Sequence, residues 1–361
     1  MRNFIRKPVS WFLLFVPLAI VLEQSHASAP LVFFSAALAI IPIAVMIVHA
    51  TEQIARRTGD AIGGLLNATF GNAPELIISL VALKAGYFAM VRASLVGAIL
   101  ANLLLALGLG MLLGGLRFHE QKFNPMATRA YSTMMFIAAV SMAVPSAFSR
   151  NFAETAHSQL GVLNIGIAVL LLLAYGLYLL FSLRTHPESF ESVEDAHAAH
   201  AEEAKWPVAV AVTCLVGASV LAAWMSEILV GAAEETGKSL GMSQFFIGIV
   251  FLAILGGAAE SASAIAVARK NKMDMSISIA LGSCIQIALF VAPVLVIASY
   301  FIAPAPLDLS FNKAEIGSLG IAVFIGWLVC ADGVSNWYRG VQLITVYAII
   351  ALMFYLIPVP G

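Results

Sequence analysis

Gly71-Asn72-Ala73-Pro74-Glu75 sets a carboxylate inside an otherwise apolar run from Ala61 to Leu83. An ionised carboxylate at a bilayer centre costs roughly 2.5–3.5 kcal/mol on insertion scales, so its presence demands a reason. Gly71 and Pro74 loosen the helix just ahead of it. Glycine adds backbone freedom, and proline removes a donor and crowds the preceding turn. The arrangement returns 185 positions later as Gly256-Gly257-Ala258-Ala259-Glu260. A broken helix carrying a carboxylate, present twice, is the pattern of a transporter built from two halves.

Composition agrees. Of 361 residues, 61% are hydrophobic and only 11% charged, with a mean hydropathy of +0.95. Soluble domains carry about 25% charged residues. The chain reads as an all-α polytopic membrane protein whose surroundings are the lipid bilayer. Its net charge of −1 comes without a basic stripe, so nothing points to nucleic acid and no nucleic-acid partner is expected. Cys214, Cys284 and Cys330 stand singly in apolar runs and form neither a disulfide frame nor a metal motif.

Residues 1–29 hold Arg2, Arg6 and Lys7, a short apolar run from Trp11 to Leu22, and Ser25-His26-Ala27-Ser28-Ala29. They read as a short retained first helix, with a cleaved signal peptide as the alternative. Ten further spans are expected near 31–54, 61–84, 87–113, 127–146, 160–183, 207–233, 242–268, 274–302, 315–331 and 339–357, making eleven. With the N-terminus in the cytoplasm, only Lys84, Arg92, Arg150, Lys238 and Lys313 fall outside, and the other fourteen of the 19 Lys and Arg fall inside. The positive-inside rule therefore supports this orientation, with the C-terminus external. The domain reading is a short N-terminal helix (1–29), a first five-helix repeat (30–184), an acidic cytoplasmic connection (185–205) and a second five-helix repeat (206–361). The connection carries Glu188, Glu191, Glu194, Asp195, Glu202 and Glu203 with His186, His197 and His200. It reads as a solvated linker, or as a segment that attracts cations or senses pH.

At the offset of 185, Ile62, Gly63, Ala68, Gly71, Ala73 and Glu75 match Ile247, Gly248, Ala253, Gly256, Ala258 and Glu260. Five spans separate the two carboxylates, so the halves run in opposite senses. An inverted repeat places its substrate site near the midplane, where the broken helices meet. Two carboxylates cancel one divalent cation, and calcium takes six to eight oxygen ligands. Asn72, one turn before Glu75, offers an amide oxygen. Ser283 and Gln286, in the stretch Gly282-Ser283-Cys284-Ile285-Gln286, could complete the shell. Gly71, Pro74, Gly256, Gly257 and Gly282 are the expected helix breaks. Glu52, Glu227 and Asn102 are candidates for an access path. Two close carboxylates cannot both stay ionised without a cation, so protons and metal compete for the same oxygens, which is a coupling mechanism.

These residues resemble the cation/proton exchanger family, the calcium/proton antiporters within the calcium/cation antiporter group. Thr51-Glu52 and the run from Gly63 to Ile77 look like its first signature. Gly282 to Val291 is similar to the segment after its second, and Ser226–Val230 and Asp332–Trp337 resemble further family stretches. The resemblance covers roughly residues 40–357. It implies Ca2+/H+ antiport by alternating access with Glu75 and Glu260 as shared ligands, no cofactor, and a cytoplasmic acidic connection. The setting expected is a prokaryotic inner membrane. The second signature departs from the family's Gly-Asn-x-x-Glu-His: Gly257 offers no amide oxygen, and Ser261 stands where the family has His. Exchange of sodium or potassium and a cation channel are the alternatives. No nucleophile–base set or His-Glu-x-x-His motif points to an enzyme.

Overall fold

The computed structural model describes residues 8–58, 60–152, 157–186 and 206–357. Residues 187–205, nearly all of the expected acidic connection, lie outside them. In hydrocarbon every backbone N–H and C=O must be satisfied within the chain, and helices do this locally. After a 3-10 turn (Pro8–Leu14), the elements in order are α1 (Phe15–Gln24), α2 (Ala29–Thr58), α3 (Asp60–Phe70), α4 (Ala73–Lys84) and α5 (Phe88–Leu100). A π turn (Ala101–Ala106) carries α5 into α6 (Leu107–Phe118), followed by β1 (Glu120–Lys122), α7 (Pro125–Phe152) and α8 (His157–Leu180), which ends in a π turn at Phe181–Thr185. Then come α9 (Val208–Leu240), α10 (Gln244–Phe246), a π turn (Ile247–Leu252), α11 (Ala253–Gly256) and α12 (Ala258–Ala268). The chain closes with α13 (Met273–Gln286), a π turn (Ile287–Val291), α14 (Ala292–Ile302), α15 (Lys313–Cys330), β2 (Val334–Asn336) and α16 (Trp337–Tyr355).

Among the described residues, eight helices are individually long and apolar enough to cross a membrane, and Gln244–Gly256 with Ala258–Ala268 makes a ninth as a broken pair. Trp11–Gln24 is apolar but shorter. Helices α3 and α4, of 11 and 12 residues, flank the first break. Each of these is below the roughly 20 residues that a straight span needs.

The chain divides into two compact units. Unit 1 takes Met1–Gly97, Lys205–Ala259 and Met353–Gly361. Its spine is α2 packed along α9, with Phe33, Ile40, Ile43 and Ile47 buried in one cluster with Met225, Leu229 and Ala233. Helix α5 approaches the π turn at Ile247–Leu252 backbone to backbone. A Cβ on Gly97 would run into the Ile249 main chain, and one on Gly248 would lie 2.7 Å from the Met90 carbonyl oxygen. Small residues allow this approach, and close packing is the main attraction between helices in lipid.

Unit 2 takes Ala98–Ala204 and Glu260–Leu352. Helix α13 packs against α7 and against the π turn at Ala101–Ala106, and Leu103 of that turn seats on Gly326 of α15. A short antiparallel ribbon pairs Gln121 with Ser335. The loop after α14 buries Leu307, Leu309 and Phe311. Its amides are received by Ser299 Oγ (2.8 Å), Asn164 Oδ1 (3.3 Å) and Ser146 Oγ (2.8 Å). An irregular segment in a membrane protein survives only when its polar groups are met in this way.

Local structure recurs at the 185-residue spacing. Breaks fall at Gly71-Asn72 and at Gly257, and the following half-helices α4 and α12 each carry Glu as their third residue. Both end in the same hydrogen-bonded turn. Tyr87 N–H bonds to Ala82 C=O and Gly86 N–H to Leu83 C=O; Lys272 N–H bonds to Val267 C=O and Asn271 N–H to Ala268 C=O. Gly86 and Asn271 take the left-handed conformation that this closure requires (φ 82° and 63°). Helices α5 and α13 start at Phe88 and Met273, and each runs into a π turn. Within unit 2, Cys284 Sγ lies 3.6 Å from the Ile99 carbonyl oxygen, a contact between residues 185 apart.

One expected break is corrected. Helix α13 runs unbroken through Gly282, and the irregularity comes later, at Ile287–Val291. Glycine inside a helix costs only about 1 kcal/mol relative to alanine, too little to open one.

Candidate ion-binding site

In unit 1, Asn72 occupies the position before α4 (φ −94°, ψ 25°), and its side chain does not cap the helix. Pro74 has no N–H, so the Phe70 carbonyl lacks the partner that a continuous helix would supply. Helical bonding resumes with Leu76 N–H to Asn72 C=O at 3.1 Å. Glu75 is 6% exposed, and neither of its carboxylate oxygens has a hydrogen-bond partner among the described residues. It sits in the first turn, where the partial positive charge of the helix end favours an anion. Gly256, at the end of α11, leaves just enough space for it. A Cβ there would stand 2.6 Å from Glu75 Cγ and 3.3 Å from its Cα and Cδ. Buried Ser79, one turn after Glu75, brings its Oγ to 3.5 Å from Ser94 Oγ on α5. Sequence reading passed over this pair. The available signal was a hydroxyl four residues after the carboxylate, on the same helical face.

In unit 2, Glu260 is 8% exposed in the first turn of α12. Asn102 lies inside the π turn at Ala101–Ala106 and donates its amide to Ser283 Oγ at 3.0 Å, with both side chains buried. The expected shell residue Ser283 and the expected path residue Asn102 are therefore one bonded pair. Gln286 is the last residue of α13, half-buried, just before the π turn at Ile287–Val291. Such turns shift the hydrogen-bond ladder and often mark functional sites. Among the described residues no three His, Cys, Asp or Glu side chains gather as a metal cage. A cation held by these residues would draw on amide, hydroxyl and main-chain oxygens as well as carboxylate.

The other expected residues lie in different settings. Glu52 sits 3.8 Å from His49 Nδ1 near the end of α2. Glu227 pairs with Lys84 at 3.7 Å, both side chains largely exposed. Asp332 is gripped by Arg339 through both oxygens at 2.5 Å in the turn before β2, and this guanidinium holds its carboxyl down at about 2.

Helices of this length and apolarity, carrying two buried carboxylates at the start of half-helices, define an integral membrane protein of the ion-transporter class. The model of the sodium/calcium exchanger protein family matches residues 28–184 and 210–356, and the chain belongs to that family, a transporter rather than an enzyme. It is 41% identical over 358 residues to the Ca2+/H+ antiporter of Aphanothece halophytica, with 96% of each chain covered. It is 40% identical to the Ca2+/H+ antiporter ChaA of Bacillus subtilis, covering 95% of this chain and 97% of that one. The solved structure of native YfkE superposes with a TM-score of 0.82 at 38% identity, covering 96% of this chain and all of that one. The H+/Ca2+ exchanger CAX shares the fold, with a TM-score of 0.67 at 14% identity.

Proposed function

We propose that the chain exchanges calcium for protons, with Glu75 and Glu260 carrying whichever ion is being moved, and that access to them alternates between the two sides of the membrane. The observation that carries the reading is Glu75: a buried carboxylate with no hydrogen-bond partner among the described residues, at the start of a half-helix. Burying an unpartnered carboxylate is costly in the ionised form, so the group calls for a proton or a cation. Exchange follows if those two ligands compete for it. The antiporter relatives at about 40% identity favour calcium and protons as the pair.

An inverted repeat is part of the proposal. It is supported by the recurrence, 185 residues apart, of break, third-position Glu, closing turn and π turn. The Cys284–Ile99 contact supports it too, because a residue that touches its own repeat equivalent lies near the axis relating the repeats. The proposed setting is a prokaryotic inner membrane with the N-terminus in the cytoplasm. Calcium uptake into proteoliposomes across an imposed pH gradient tests the reading, with sodium and potassium as competitors. Glu75→Gln and Glu260→Gln keep size and one carbonyl oxygen but remove the titratable charge, and each is expected to abolish uptake in folded protein. Uptake at the wild-type level in both variants would refute the mechanism.

A further inference from the structure

The turn that ends α12 is held from outside the helix. Val267, Ala268, Asn271 and Lys272 close it through main-chain bonds, and the Ala268 carbonyl already receives Asn271 N–H at 3.0 Å. Its second lone pair receives the side-chain amide of Gln121 at 2.9 Å. The same amide nitrogen donates to Asn271 Oδ1 at 3.1 Å, so both of its hydrogens are spent on this one turn. Arg117 Nη1 adds a bond to the next carbonyl, that of Arg269, at 3.2 Å. Gln121 is 1% exposed and sits at the middle of β1, paired with Ser335 of β2. Its Oε1 packs on Gly114 of α6, where a Cβ would collide with it.

Helix α4, in the equivalent place of unit 1, ends in the same closing turn but is tied by the exposed Lys84–Glu227 pair. Exposed ion pairs are weak and screened by salt, whereas a buried amide–carbonyl bond persists because leaving it unmade strands two polar groups.

We propose that Gln121 is a positioning residue: it fixes the far end of α12 and thereby sets the placement of Glu260 at the near end. The inference rests on Glu260 being an ion ligand. Helix α12 has 11 residues and is about 16 Å long. It is one rigid rod, so slack at Ala268 becomes misplacement at its first turn. Coordination of a divalent cation is sensitive to displacements of a few tenths of an ångström.

The test uses Gln121→Met, which keeps the volume and loses both bonds. Two quantities are read: hydrogen exchange of the amides at 268–272, and the calcium dependence of proteoliposome uptake. Exchange is expected to speed up, and half-saturation to move to about tenfold higher calcium, the order expected from losing the two hydrogen bonds. Uptake at saturating calcium should stay within about twofold. A residue that only stabilised the fold would scale the rate at every calcium concentration without moving half-saturation. Gly114→Ala displaces the Gln121 side chain without removing it, should act in the same direction, and decides the matter if Gln121→Met does not fold. Unchanged exchange at 268–272 overturns the grip. Faster exchange with unmoved half-saturation, where Glu260→Gln has lost uptake, overturns the link to Glu260. Retained uptake in Glu260→Gln overturns the site reading itself.

Discussion

Replacing Gly256 by alanine adds one methyl group, and its cost can be worked out from the surroundings. The new Cβ would lie 2.6 Å from Glu75 Cγ, where ordinary contact is about 3.5–4 Å, so about 1 Å must be found. Rotating the Glu75 side chain does not provide it, because the Glu75 Cα is also within 3.3 Å. Either α4 or α11 has to shift. Overpacking of this kind costs about 1–3 kcal/mol, and the better helix propensity of alanine returns at most about 1 kcal/mol. Gly282→Ala is the matched control, since a Cβ there meets nothing within 4 Å. That change should stabilise by about 0.5–1 kcal/mol, so the two Gly→Ala substitutions are expected to have opposite signs. Unfolding in detergent, followed by tryptophan fluorescence, reads the stability. Calcium uptake reads the second consequence: displacing Glu75 by about 1 Å should lower apparent affinity by tenfold or more, with Gly282→Ala close to wild type. A Gly256→Ala protein with wild-type midpoint and calcium dependence would refute the close approach on which the Glu75 site depends.

Gly257→Asn restores the amide of the family signature at a position whose φ of −80° accepts any side chain. It should raise apparent calcium affinity by up to about tenfold if the new oxygen binds the ion. If the new amide caps α12 instead, it should raise only the unfolding midpoint. Asp332→Asn should leave calcium dependence unchanged and cost no more than about 1 kcal/mol, because the Asp332 side chain is 58% exposed. Arg339 lowers this carboxyl from 3.8 to about 2, so the stabilisation is complete above the ordinary value and fades as pH falls through about 2. Wild type and variant should therefore differ by a constant amount from pH 5 to 8, and a gap that widens toward acid would contradict the assignment.

Much of this was legible in the chain as written. Hydrocarbon tolerates only backbone that satisfies itself, so apolar runs translate directly into helices. A carboxylate next to Gly and Pro in such a run marks an interruption, and Gly71-Asn72 and Gly257 are where α3–α4 and α11–α12 part. The spacing of 185 was readable too, because it is carried by residue identities. Gly282 misled because glycine permits a break without compelling one, and α13 keeps its bonds through it. The π turns have no sequence signature. They arise where a helix must slip by one residue against its neighbours, and only packing reveals where. The Asn102–Ser283 bond, the seating of Gly256 on Glu75 and the hold of Gln121 on Ala268 join residues about 150 to 180 positions apart. Sequence by itself determined the helical segments, the breaks at Gly71-Asn72 and Gly257 and the burial of Glu75 and Glu260, since those follow from local chemistry and the solvent; the unbroken helix at Gly282, the exposure of Glu227 and the burial of Glu315 did not follow from it. The tertiary structure alone decided which side chains meet, because contacts between distant segments depend on how the helices pack.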